Sequence, residues 1–140
     1  MIKFVCFYLC VFTVSGFLYD NPCDVFPKYS GGIPSYNNFT TTVNVPAKCK
    51  NGTFRWDYPK GHAMLHFQNM HGMEMKICIK DSLGGTFFNV TDKATNERLG
   101  PFDYETYACL QPTSEREVVL QVDAPLDLRY MGEFEYRIYK

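Results

Sequence analysis

The segment His62-Ala-Met-Leu-His66-Phe-Gln-Asn-Met70-His71-Gly-Met73-Glu-Met75 holds all three histidines and four of the six methionines. On a helix, His62 and His66 would share a face and could hold one metal ion. Ala63, Leu65 and Phe67 recur at period two, so the segment reads as a strand instead. Four strand residues span ~13 Å at ~3.3 Å each. Bonds of ~2.1 Å from one ion cannot reach both rings across that span. The histidines are therefore expected to face solvent opposite the buried row, with methionines filling core gaps, and no metal site is expected.

Catalytic chemistry finds no better footing. The chain has no G-x-S-x-G elbow, no H-E-x-x-H pair and no phosphate-binding glycine loop. Carboxylate pairs such as Asp103 with Glu105 and Glu115 with Glu117 sit on strands or loops, where such pairs are solvated and nothing in the sequence marks an environment that raises either pKa. The reading is that the protein is not an enzyme and carries no cofactor. Net charge is −1 at pH 7, and no basic stripe exists to neutralise phosphates, which argues against nucleic acid.

The cysteines depend on compartment. Residues 1–16, MIKFVCFYLCVFTVSG, place Lys3 before an apolar run from Phe4 to Val14 and end on Ser15 and Gly16. This is the pattern of a cleaved secretory signal peptide; eleven apolar residues from Phe4 to Val14 are too few to span a bilayer. Residues 17–140 then form a secreted chain with no further insertion into a membrane. Cleavage removes Cys6 and Cys10 and leaves Cys23, Cys49, Cys78 and Cys109, an even set that reads as two disulfides. The residues alone leave all three pairings open. Sequons at Asn38, Asn51 and Asn89 are candidate glycosylation sites.

These groups must be positioned by strands. Residues 20–48, rich in Pro, Gly and Asn, read as a lead-in with one strand at Thr42 to Val45. Phe54, Trp56 and Tyr58 share one face of a second strand, which turns at Pro59 and Gly61. Ala63, Leu65 and Phe67 mark a third strand, and Met73, Met75, Ile77 and Ile79 a fourth. After a turn at Gly84-Gly85, a short strand is expected from Thr86 to Val90 and a polar loop from Asp92 to Pro101. Later strands cover Tyr107 to Leu110, Val118 to Val122 and Phe134 to Ile138. No helical stripe of three turns occurs. The pattern predicts a single all-β sandwich of seven to nine short strands, because half-buried strands must cover one apolar face with a second sheet.

The run from Cys49 through Trp56, Tyr58-Pro59, Gly61 and Phe67 resembles the opening of the meteorin family, with the likeness continuing through Cys78, Cys109, Glu115 to Gln121 and Phe134 to Ile138. It covers roughly residues 23–139. The resemblance implies the CUB-like antiparallel β-sandwich, of jelly-roll type, that forms the N-terminal part of meteorin and meteorin-like factors. The second cysteine-rich domain of those factors has no counterpart before Lys140. It also implies the pairing Cys23–Cys49 with Cys78–Cys109. The layout agrees, since Cys23 and Cys49 bracket the irregular lead-in. CUB domains often bind calcium near an aspartate that follows a core cysteine. The resemblance thus makes Asp81 a calcium candidate, with Asp123 or Asp127 able to approach. Calcium requires six to eight oxygens, and Asp81 before Ser82 and Gly84 is equally an ordinary turn residue.

The functional expectation is a secreted, non-enzymatic binding domain acting as a ligand or effector on a cell-surface or matrix protein. The alternative is a venom or salivary effector built on the same scaffold. Tyr29, Tyr36, Phe102, Tyr104, Tyr130 and Tyr139 fall in expected loops or at strand edges, where tyrosine favours recognition. The residues that bind a partner, and the partner itself, are not specified by the sequence.

Overall fold

The computed structural model describes residues 21–28, 39–127 and 130–140. The signal-peptide reading of residues 1–16, Asn38, Tyr29 and Tyr36 lie outside them. The described chain is an all-β sandwich of two sheets. Its strands are β1 (Thr40–Val45), β2 (Asn51–Asp57), β3 (His62–Gln68), β4 (Lys76–Leu83), β5 (Asn89–Asp92), β6 (Arg98–Leu99), β7 (Ala108–Cys109), β8 (Glu117–Asp123) and β9 (Met131–Tyr139). One sheet has the order β1-β3-β8-β5-β6 and the other β2-β9-β4-β7.

The alternation in the sequence becomes the two inner faces. Val43 and Val45, Leu65 and Phe67, Leu120 and Val122, and Val90 line one. Phe54 and Trp56, Ile77 and Ile79, and Phe134 and Tyr136 line the other. Between them Trp56 stacks on Phe88 at 5.8 Å, and Phe54 on Phe134 at 5.1 Å. Phe67 meets Tyr136 edge-on across the sheets at 5.4 Å.

Among the named strands of the described residues, pairing is antiparallel except that β1 lies parallel to β3; the isolated bridges Val25–Phe54 and Gly84–Glu133 are also parallel. The chain leaves β1, crosses to the other sheet as β2, and returns as β3. Two reversals restore the original direction, so the antiparallel expectation fails at this edge. Gly61 permits the return, because a Cβ there would lie 2.0 Å from the Phe39 carbonyl oxygen and its φ is +74°.

The disulfides join Cys23 to Cys49 and Cys78 to Cys109, the pairs the meteorin resemblance implies. Cys78 and Cys109 are directly opposed in the β4–β7 ladder. Cys23 anchors the lead-in, which continues as an extra half-strand on the edge of β2. There the Val25 N–H donates to the Thr53 carbonyl (2.8 Å), and the Arg55 N–H to the Val25 carbonyl (3.0 Å). The Tyr136 hydroxyl crosses the sheet edge to donate to the Cys23 carbonyl at 2.5 Å. Burial, with the nearby Asp24 charge as a second cause, pushes that phenol well above its ordinary pKa and keeps it neutral.

Four local expectations need correction. Tyr58 does not continue the buried row. β2 ends at Asp57, the backbone turns with φ 50° at Tyr58, and its ring is 48% exposed. Met73 is likewise exposed, because a tight turn intervenes and burial starts at Met75. The strand expected over Thr86 to Val90 begins only at Asn89. Its first half is a 3-10 turn, Gly85–Phe87, which starts where the Asp81 carboxylate accepts the Gly85 N–H at 2.7 Å. The polar loop after Asp92 contains β6, which pairs with β5.

Candidate binding surface

Strand register brings several chain reversals to one end of the sandwich. Asp57 at the close of β2 lies opposite Met131, and His62 at the start of β3 opposite Asp123. Leu83 at the close of β4 pairs with Glu133, and Asn89 at the start of β5 with Asp123. The connections 58–61 and 84–88, and residues 124–127 and 130 between β8 and β9, therefore share this end. They carry Tyr58, Phe87, Leu126 and Tyr130, all exposed, with Leu83 exposed beside them. Leu126 is fully exposed and Tyr130 is 77% exposed. These rings are not merely loose. The Tyr58 N–H donates to the Tyr130 carbonyl at 2.7 Å, and the two rings meet edge-on with centroids 6.1 Å apart.

Glycines hold the neighbouring loop close to β9. A Cβ on Gly85 would lie 2.5 Å from the Glu133 carbonyl oxygen, and one on Gly132 would strike the Phe88 ring at 2.6 Å. Any side chain at either position would lift the 84–88 connection from the sheet and displace Phe87.

The histidines do not converge. His62 Nδ1 lies 2.5 Å from Asp123 Oδ1, and the Gln121 amide donates to the same oxygen at 2.7 Å. His66 Nδ1 instead meets Glu117 Oε1 at 2.8 Å, while the Gln68 amide donates to Glu117 Oε2 at 2.8 Å. Hydrogen bonds from Gln68 and then His66 hold the Glu117 carboxyl below the usual glutamate range. His62 and His66 thus each have their own carboxylate on β8, at opposite ends of the β3–β8 ladder.

The calcium candidate also has a structural occupation. Asp81 is buried; its carboxylate accepts the Gly85 N–H and its own N–H donates to the Asp103 carbonyl at 3.0 Å. Asp123 is engaged with His62. Among the described residues no group of three or more His, Cys, Asp or Glu side chains could hold a metal ion.

The other aromatic candidates divide. Phe102 is buried and packs edge-on against Phe134 at 6.5 Å. Tyr104 is 60% exposed beside a turn in which Asp103 Oδ1 accepts the Glu105 and Thr106 N–H groups. Those two bonds lower the Asp103 pKa. Tyr139 lies under the Lys76 ammonium, 5.2 Å from its ring centre. Asn51 and Asn89 are both exposed, at the starts of β2 and β5. Sequence reasoning missed Tyr58, Leu83, Phe87 and Leu126. For Leu126 a signal was present: an apolar residue in Ala-Pro-Leu-Asp, outside any alternating row.

No family model matches the chain, and no curated protein does. Among solved structures it is similar to the CUB1-EGF-CUB2 domain of human MASP-1/3, at 12% identity and a TM-score of 0.39. The match covers 74% of this chain and 42% of that one, so the chain spans less than half its length.

Proposed function

We propose that this protein is a secreted, non-enzymatic binding module that engages an extracellular protein through the end carrying Tyr58, Leu126 and Tyr130. The observation behind this reading is the concentration of exposed large apolar side chains on connected loops above a closed core. Single exposed apolar residues are ordinary, but clustered aromatics on a rigid β scaffold suit protein recognition. The two disulfides suit an oxidising compartment, in keeping with a signal peptide at residues 1–16. The meteorin resemblance supplies the kind of target, a receptor or matrix protein, within a CUB-like scaffold.

The test is cell binding by the labelled mature protein. Tyr130→Ala combined with Leu126→Ala should weaken saturable binding at least tenfold while leaving the unfolding midpoint unchanged. Binding that survives proteolytic shaving of the cells, or that both substitutions leave intact, overturns the assignment.

A further inference from the structure

Methionine is ordinarily a core residue, yet Met70 is 71% and Met73 55% exposed, with exposed His71 between them. All three sit on the turn linking β3 to β4. The Gly72 N–H donates to the Asn69 carbonyl at 3.2 Å, which places Met70 and His71 at the two corners of a four-residue turn. Gly72 has φ +60° and nothing within 4 Å of a built Cβ, so the ground above the turn is open.

The turn is held from below. Asn69 is 1% exposed, and its side-chain amide donates to the Met73 carbonyl (2.6 Å) and the Glu115 carbonyl (3.1 Å). Its N–H donates to the Arg116 carbonyl at 2.7 Å, and Met75 bridges to Thr113 just beyond. A buried amide thus clamps both ends of the turn to the chain entering β8. Unlike His62 and His66, His71 makes no hydrogen bond or ion pair among the described residues.

We propose that Met70, His71 and Met73 form a surface site for a soft monovalent metal ion, copper(I) or silver(I). Two thioethers and one imidazole are the donor set that soft d¹⁰ ions prefer, whereas hard cations take oxygen ligands. Reach favours it as well. Three residues span at most ~11 Å of extended backbone and less across a turn, within the combined length of two unbranched thioether side chains. The histidine pair on β3 fails this condition, because each ring is engaged by a separate carboxylate. Solvent exposure of the two sulfur-bearing side chains costs apolar burial that neighbouring Met75 obtains, and a ligand role accounts for that placement.

Silver(I), stable in air unlike copper(I), is the probe. With methyl-labelled methionine in the mature protein, one equivalent should shift the Met70 and Met73 methyl resonances together and leave Met75 and Met131 in place. Met70→Leu with Met73→Leu should weaken silver(I) binding at least tenfold, and His71→Asn several-fold, with unfolding midpoints unchanged because all three side chains are exposed. Zinc(II) at the same concentration should leave both methyls unshifted. Shifts confined to other methionines, unchanged affinity in the double variant, or an equal response to zinc would each overturn the site.

Discussion

Trp56 illustrates how much a single side chain carries here. Its ring is 1% exposed, stacked on Phe88 and edge-on to Phe54 at 6.1 Å. Trp56→Ala should destabilise the protein by ~3–5 kcal/mol, as large aromatic truncations in packed cores do. Denaturant unfolding of the purified variant measures it, and a loss below ~1 kcal/mol would mean the site collapses around the cavity. Ionisable groups give a second expectation. The Asp103 and Glu117 carboxyls are held below their ordinary values in the fold. Their contribution is present above the unfolded values of ~4 and is lost as pH falls through the lower folded ones. The melting temperature should therefore decline on acidification below about pH 4. Glu117→Gln, which cannot titrate, should decline less over the same range.

At the scale of elements, the disulfides act on the unfolded chain. Cys23–Cys49 closes a separation of 26 residues and Cys78–Cys109 one of 31. Each should stabilise by ~3–4 kcal/mol on the chain-entropy model. Replacing both cysteines of either pair by serine should lower stability by that order, read from urea unfolding under non-reducing conditions. Peptide mapping without reductant checks the pairing itself, and a fragment joining Cys23 to Cys78 or Cys109 would contradict it. The strands β2, β3, β8 and β9 were legible in sequence because each alternates over a full half-buried length, and their inner residues are the ones the sequence marks. The parallel docking of β1 was not, since strand direction depends on which sheet β2 joins. The 3-10 turn at Gly85 was hidden because it hangs on a hydrogen bond from the Gly85 N–H to the Asp81 carboxylate four residues back, which alternation does not encode. Met73 fits the period of β4 and is exposed only because Asn69 clamps the turn before it.

For the whole molecule, the candidate surface was barely legible, because it is assembled from residues far apart in sequence that share no pattern. Tyr130 is visible as a loop tyrosine, but the alternation places Tyr58 on the row of Phe54 and Trp56, and Leu126 lies outside any alternating row. Strand register places the two described sequons at opposite ends. Asn89 follows Phe88 and pairs with Asp123, at the aromatic end. Asn51 pairs with Arg137 near the close of β9, at the far end. A glycan is bulky and hydrated, so one on Asn89 would border the surface around Phe87 and compete with a docking partner for space, whereas one on Asn51 would leave it clear. If the aromatic end binds, Asn89→Gln in a glycosylating host should strengthen cell binding and raise the association rate. Asn51→Gln should change neither. Both asparagines are exposed, so neither substitution should move the unfolding midpoint by more than that of ~0.5 kcal/mol. Titration of the two variants on the same cells measures the difference. A gain from Asn51→Gln with none from Asn89→Gln would place the contact surface at the opposite end of the sandwich.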